Sequence, residues 1–213
     1  MASDLTLYVD SDWMSPWAFH ALVALEEKQL TFETVATPLP VPEQLRAELT
    51  SKALFAKVPA LRHGDTWFTE SLAISEYVAE TFMSSAGYPR LFPADLGERA
   101  HARQVMSWLR TSLMALRGDR PTSSVFGRPT VRPMSEKCRA EGDELVRVAS
   151  ALVAPGKTQM FKEWSIADAD LALALMRMIA SQDHMPEHLI TYALAQWDRR
   201  SVKRFLAHVP TTP

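Results

Sequence analysis

The stretch from Lys57 to Phe82 constrains the fold more than any other, because its hydrophobic period changes partway along. Val58-Pro59-Ala60-Leu61 is short and apolar, His63-Gly64-Asp65 carries turn chemistry, and Trp67 and Phe68 suit a second strand. After Ser71 the spacing becomes helical, with Ile74, Tyr77, Val78, Thr81 and Phe82 on one face. Glu70-Ser71 therefore sits where a strand ends and a helix begins. Backbone N–H groups at such a junction lack intrahelical partners and can hold a carboxylate, while a fixed side-chain carboxylate beside them can hold an ammonium. A ligand with an α-amino acid end fits both. The same residues also read as a plain β-hairpin followed by a capped helix.

The rest of the chain gives an order for the elements. Leu5 to Asp10 alternates like a strand, and a helix with Ala18, Phe19, Leu22 and Leu25 on its apolar face follows over residues 18–28. Residues 30–35 read as a second strand, Pro38, Pro40 and Pro42 mark a loop, and residues 43–55 read as a helical piece. With the hairpin and its helix, the order is βαβαββα, that of thioredoxin. The pattern breaks at residues 84–89. The expected organisation is α/β plus all-α: a thioredoxin-like domain over residues 1–84, a linker over 85–97 and an all-helical domain over 98–213.

In that second part, Val105, Met106, Leu109, Leu113 and Leu116 predict one long amphipathic helix. Residues 118–133, with three prolines and two glycines, predict an unusually long loop. A helix is expected over residues 134–153. Ser165 with Asp168 forms a capping-box start for a helix to about Ser181, apolar nearly all round and so placed at the centre of the domain. Two final helices are expected over residues 187–197 and 202–206.

Composition narrows the partners. A net charge of −2 favours neither nucleic acid nor an acidic membrane surface. No apolar run approaches the roughly 18–20 residues needed to cross a bilayer. The start, Met1-Ala2-Ser3-Asp4-Leu5, has no basic or long apolar segment, so no secretory signal is expected. The one cysteine, Cys138, fits a reducing compartment, with the cytoplasm as the default, and is expected on a surface helix without a role. His184 and His188 are four apart, but Pro186 interrupts them and no metal site is expected.

Val58-Pro59-Ala60-Leu61 followed by Glu70-Ser71 resembles the glutathione site of the glutathione transferases. The resemblance extends from Leu5 to about Leu206 and is nearest to the serine-type bacterial enzymes, including the YfcF-like subgroup. It implies that Pro59 is cis and that Val58 pairs, strand-like, with the cysteinyl part of glutathione. It also implies that Glu70 and Ser71 take the γ-glutamyl end, and that Lys57 offers its ammonium to the glycyl carboxylate. The Asn-Pro often found before the Val-Pro segment is missing, and Arg46 is the only base that stands out in residues 38–46, which leaves the second glycyl contact unassigned.

Thioredoxin-fold redox proteins carry Cys-Pro-x-Cys where this chain has Ser15-Pro16-Trp17-Ala18, so the reactive sulfur has to come from the ligand. The resemblance implies that Ser15 stabilises the glutathione thiolate. Ser15 also reads as an ordinary N-cap with proline at N1. Tyr8 is a rival for the role and Ser11 a weaker one. The implied electrophile pocket lies between the domains, with Trp13, Met14 and Trp17 on one side and Met106, Arg110, Met114 and Arg117 on the other. Such residues at helical spacing also suit a core. The implied activity is conjugation of glutathione to hydrophobic electrophiles, with glutathione-dependent peroxide reduction beside it. The alternatives are a non-catalytic ligand-binding or interaction module and a glutathione-dependent disulfide oxidoreductase. The resemblance further implies a homodimer without a metal.

Overall fold

Alternation in Leu5–Asp10 produces strand β1, whose Leu7 and Val9 are fully enclosed. In this computed structural model, which describes residues 4–129 and 131–210, β1 is one of the two inner strands of the sheet in the first of two units. That unit comprises residues 4–91 together with Ala207–Pro210, and the second comprises Phe92–Leu206. The expectation about the first three residues lies outside the described chain.

The first unit runs β1, α1 (Pro16–Glu27), β2 (Glu33–Thr37), α2 (Glu43–Ala53), β3 (Ala60–His63), β4 (Thr66–Thr69) and α3 (Ser71–Thr81). It is the expected thioredoxin-like βαβαββα order. The sheet order is β2-β1-β3-β4, with β1 parallel to β2 and antiparallel to β3. Leu7 lies opposite Thr34 on one side and Leu61 on the other. The hairpin turns at Gly64, whose φ of +57° suits glycine. On α1 every residue from Ala18 to Leu25 is buried. Lys28 then crosses to the end of α3, donating from Nζ to the carbonyl of Phe82 at 2.5 Å.

The second strand begins later than its hydrophobic residues suggest. Gln29 takes a φ of +56°, and the N–H groups of Gln29 and Leu30 close the last turn of α1 on Glu26 and Leu25. Leu30 is spent on the helix terminus, so β2 covers Glu33–Thr37 rather than residues 30–35. Likewise α2 stops at Ala53, because Leu54 turns to a φ of +68°.

The second unit is helical: α4 (Leu96–Thr111), α5 (Met114–Asp119), α6 (Ser123–Phe126), α7 (Glu136–Leu152), α8 (Ile166–Ala180), α9 (Glu187–Trp197) and α10 (Arg200–Leu206). The single long helix expected from Val105 to Leu116 is two helices. Ser112 is extended and Leu113 has a φ of +59°. A carboxylate from α7 stabilises the restart, since Glu141 Oε2 accepts the Leu116 N–H at 2.9 Å. Leu113 and Leu116 stay in the core, so the apolar pattern survives while the axis changes.

Residues 118–133 are also not a bare loop; Thr130 within them is outside the described chain. They hold the end of α5, all of α6, and the 1% exposed Arg120. Arg120 grips Asp183 with Nε at 2.6 Å and Nη2 at 2.7 Å, and donates to the Arg132 carbonyl at 2.8 Å. A bidentate buried pair of this kind fixes both position and orientation. Cys138 is likewise not on the surface: it faces the core beside Leu145 and Ala149, and burial pushes its thiol up to about 11.

The centre of this unit is α8, buried nearly all round as its composition predicts. Asp168 reaches back to the Ser165 N–H at 2.9 Å and also accepts from the Met160 N–H at 2.8 Å and the Tyr192 hydroxyl at 2.9 Å. Burial pushes the Asp168 carboxyl up, and these bonds pull it back.

Replacing Asp168 by alanine takes the acceptor from the Ser165 and Met160 N–H groups and leaves the Tyr192 hydroxyl only the residue-168 carbonyl. At about 1–3 kcal/mol for each of the two stranded donors, a loss of about 2–6 kcal/mol is expected in chemical denaturation. A loss below about 1 kcal/mol would mean that the carboxylate's desolvation cancels its bonds. Cys138 is expected to resist iodoacetamide at about pH 8 in the folded protein and to react once unfolded. Rapid labelling of the folded protein would contradict its burial.

Candidate functional site

Strand β1 ends on a carboxylate and helix α1 begins on a hydroxyl, with a short loop between them. Asp10 is 3% exposed, and its Oδ2 accepts the N–H groups of Met14 at 2.8 Å and Ser15 at 3.2 Å. Ser15 is the extended N-cap of α1, with Pro16 at N1. Its Oγ accepts from the N–H groups of Trp17 at 3.3 Å and Ala18 at 3.2 Å. A hydroxyl has two lone pairs and one proton. Both lone pairs face α1, so the proton is left to donate away from the helix. The cap and the donor are the same geometry.

Ser15 and Asp10 line a cavity of about 380 Å³, within the roughly 300–1,000 Å³ of small-ligand sites. Leu39, Pro40 and Val41 form one wall, and Arg46, Ala56, Lys57 and Val58 complete it. The Val58–Pro59 bond is cis, as the resemblance implies, and so is Leu39–Pro40. Val58 lies just before β3 and outside its ladder with β1.

Glu70 and Ser71 stand at the start of α3. Glu70 has a φ of +69° and ψ of 116°, a conformation that costs a non-glycine residue of order 1 kcal/mol or more. Its side chain makes no cap bond to α3. Lys57 Nζ lies 3.9 Å from Glu70 Oε1, and the two side chains are 70% and 60% exposed. An exposed pair at that distance is worth under about 1 kcal/mol, so neither charge is strongly committed. Ser71 is 5% exposed.

The expected electrophile-pocket residues fall into two groups, one in each unit. In the first, Trp13 is 6% exposed and stacks on His208, ring centroids 4.2 Å apart; Met14 and Trp17 are half-buried nearby in sequence. In the second, Met106 is buried and its carbonyl accepts from Arg110, which also pairs with Asp170. Arg117 donates to the Arg110 carbonyl at 3.0 Å and touches the sulfur of the exposed Met114. Burial, with Arg110's charge beside it, holds the Arg117 guanidinium below its ordinary pKa.

Tyr8 is in mid-strand, stacked on Trp67 at 5.3 Å, and Ser11 is exposed with its hydroxyl towards Asp12; neither lines the cavity. Two charged lining residues had no assigned part in the sequence: Asp10 and Arg46. Arg46 had a faint signal, as the only base in residues 38–46. It is held by Glu43 one turn earlier, with Nε at 2.8 Å and Nη2 at 2.6 Å. Asp10 had less, a carboxylate ending an apolar strand. Among the described residues no group of three His, Cys, Asp or Glu side chains gathers for a metal ion, and no helix is long and apolar enough to cross a membrane.

Comparison with known proteins covers both units. The family model described as glutathione S-transferase, N-terminal domain, matches residues 14–81, and that described as glutathione S-transferase, C-terminal domain, matches residues 95–210. Glutathione S-transferase U13 of Arabidopsis thaliana is 36% identical over 103 residues, 48% of this chain and 44% of that protein. Glutathione S-transferase T3 of the same plant is 28% identical over 142 residues, 67% of this chain and 24% of that protein. The chain thus spans less than half the length of these two curated relatives. A solved glutathione transferase homologue from Burkholderia gl BGR1, with bound glutathione, is 32% identical with a TM-score of 0.77. That match covers 96% of this chain and 97% of the other.

The backbone at Glu70 allows a direct test of its strain. Glu70→Gly is expected to be about 1 kcal/mol more stable than Glu70→Ala, because only glycine adopts a φ of +69° without a Cβ penalty. Equal stabilities in chemical denaturation would mean that this conformation is unstrained.

Proposed function

The chain belongs to the glutathione S-transferase family, and from that premise we propose that it binds glutathione along the cavity running from Ser15 to Val58 and aims its thiolate at a hydrophobic electrophile. The observation that carries this reading is the Ser15 hydroxyl, which lines the cavity with both lone pairs engaged by α1. In this reading Val58 pairs through its backbone with the cysteinyl part. Lys57 and Arg46, both lining the cavity, attract the glycyl carboxylate. Glu70 takes the γ-glutamyl ammonium, and Ser71 with the first turn of α3 takes its carboxylate.

Magnitudes support a serine in this role. A free thiol has a pKa of about 8.5, and lowering it by two units needs about 2.7 kcal/mol of preference for the anion. One hydrogen bond to a charged group contributes about 1.5–3 kcal/mol, and a helix N-terminus about 0.3–1 kcal/mol. The thiol proton leaves to solvent, the sulfur forms the new bond to carbon, and the leaving group departs with its electron pair. Peroxide reduction would start from the same thiolate, with two glutathiones oxidised to the disulfide as the peroxide is reduced.

Binding to immobilised glutathione, together with turnover of an activated aryl halide or an organic hydroperoxide, tests the reading. Binding with neither activity would make the protein a ligand-binding module. Ser15→Ala is expected to leave glutathione affinity nearly unchanged at low pH, where the thiol is protonated. Near neutral pH it should lower turnover by about ten- to a hundredfold, the equivalent of about 1.5–3 kcal/mol. The sign follows from the lost donor: the bound thiol's pKa rises toward its free value, so activity recovers as pH rises. Should Ser15→Ala leave the thiolate titration in place while Tyr8→Phe moves it upward, the role belongs to Tyr8.

A further inference from the structure

Asp10 makes none of the glutathione contacts proposed above, yet its side chain is enclosed at 3% exposure beside the cavity. A buried carboxylate is costly unless its oxygens are bonded. Here one oxygen does all the visible bonding: Oδ2 takes both Met14 and Ser15 N–H groups, while the buried Oδ1 has no hydrogen-bond partner. An acceptor enclosed at such a cost calls for a reason beyond closing the loop.

That reason lies in how the junction distributes its donors. The N–H groups of Met14 and Ser15 go to Asp10, those of Trp17 and Ala18 go to Ser15 Oγ, and Pro16 has none. From residue 14 to 18 the backbone donors are thus occupied, and the hydroxyl proton of Ser15 is the donor the turn has left to present. The loop is under tension as well, since Trp13 sits at a φ of +55°. Without a firm acceptor at Asp10, that loop can relax and carry the Ser15 backbone with it.

We infer that Asp10 is a positioning residue: by anchoring the Ser15 N–H it sets the direction of the Ser15 hydroxyl, and with it the pKa of the bound thiol. The inference rests on the reading of Ser15 proposed above. A negative charge near a thiolate opposes it, and the cations that line the same cavity, Arg46 from α2 and Lys57 ahead of β3, counter that field. Positioning is therefore the favourable contribution of Asp10, and its charge the unfavourable one.

The test is a thiolate absorbance titration of glutathione bound to the full chain, in the wild type, Ser15→Ala, Asp10→Ala, Asp10→Asn, Asp10→Glu and the Ser15→Ala/Asp10→Ala double variant. Asp10→Ala is expected to raise the midpoint by about one unit, a tenfold loss of thiolate preference. Asp10→Asn should hold the midpoint at or below the wild-type value: its amide oxygen can keep both loop bonds, and the charge that opposes the thiolate is gone. Asp10→Glu keeps the charge but lengthens the arm, and should raise the midpoint even if the alanine variant folds poorly. In the double variant, Asp10→Ala should raise the midpoint no further than Ser15→Ala does, because the positioning acts through one hydroxyl. A merely structural role would leave the midpoint in place or add to the Ser15 effect, and either result overturns the proposal. A wild-type midpoint no lower than that of free glutathione would instead overturn the reading of Ser15, and this inference with it. A lowered midpoint that Ser15→Ala raises and neither Asp10→Ala nor Asp10→Glu moves overturns the Asp10 role alone.

Discussion

Between the end of β1 and the first full turn of α1, the backbone N–H groups of Met14, Ser15, Trp17 and Ala18 have neither a ladder nor a helix to satisfy them. Enclosed donors left this way would cost more than the loop could recover. Asp10 and Ser15 solve the problem from opposite ends, each taking two of the four. The solution fixes where β1 can stop, since Asp10 is still in register with Thr37 of β2. It also fixes where α1 can start, since Pro16 at N1 needs no acceptor. The cavity forms beside this joint, and its polar floor is the by-product of closing a strand onto a helix.

Much of the fold was legible because it rests on local rules. The change from period two to a helical period marked the hairpin and α3, and Ser165 with Asp168 marked the start of α8. The late start of β2 has a local cause in the end of α1, but three other misses share a different one: the deciding partner is distant in sequence. The break at Leu113 depends on Glu141 of α7, twenty-five residues beyond Leu116. The order in residues 118–133 depends on Asp183, sixty-three residues beyond Arg120. Cys138 faces the core because α7 turns that side toward α8, and no local pattern distinguishes it from a surface residue. In the candidate site, Ser15, Lys57 and Val58 carried motifs and were legible as candidates. Arg46 joins them at the cavity only through tertiary folding, and Asp10 through the short loop that its carboxylate closes onto Ser15.

The helical unit pairs buried charges with one another, whereas the buried Asp10 and Lys28 of the first unit bond to backbone groups. Arg120 is held by Asp183, which keeps its guanidinium above the ordinary value. Arg177 donates to the Arg120 carbonyl, and burial with Arg117 nearby pushes it down to about 10. Such groups are weak evidence for stability, because desolvation offsets most of their attraction. Their geometric demands are strict, however. A proline- and glycine-rich segment with little regular structure gains a defined path when one of its side chains must meet a carboxylate from after α8 in a bidentate fork.

Two helix starts in this chain face the same physical problem and resolve it in opposite ways. At α8, Asp168 is fully enclosed and spends its oxygens on Ser165, Met160 and Tyr192. At α3, Glu70 holds an unfavourable backbone conformation and leaves its carboxylate largely in solvent, off its own helix. The first arrangement lowers the energy of the folded chain; the second raises it. A strained backbone with an uncommitted charge persists only where the surrounding structure can bear its cost. Here β4 enters from one side and the buried face of α3, with Ile74 and Val78, anchors the other. The N-terminus of α3 beside an exposed carboxylate and the Lys57 ammonium offers complementary charges for both ends of an amino acid zwitterion. That is the chemistry a γ-glutamyl group presents, and it is chemistry that a fully capped start such as that of α8 has already used up.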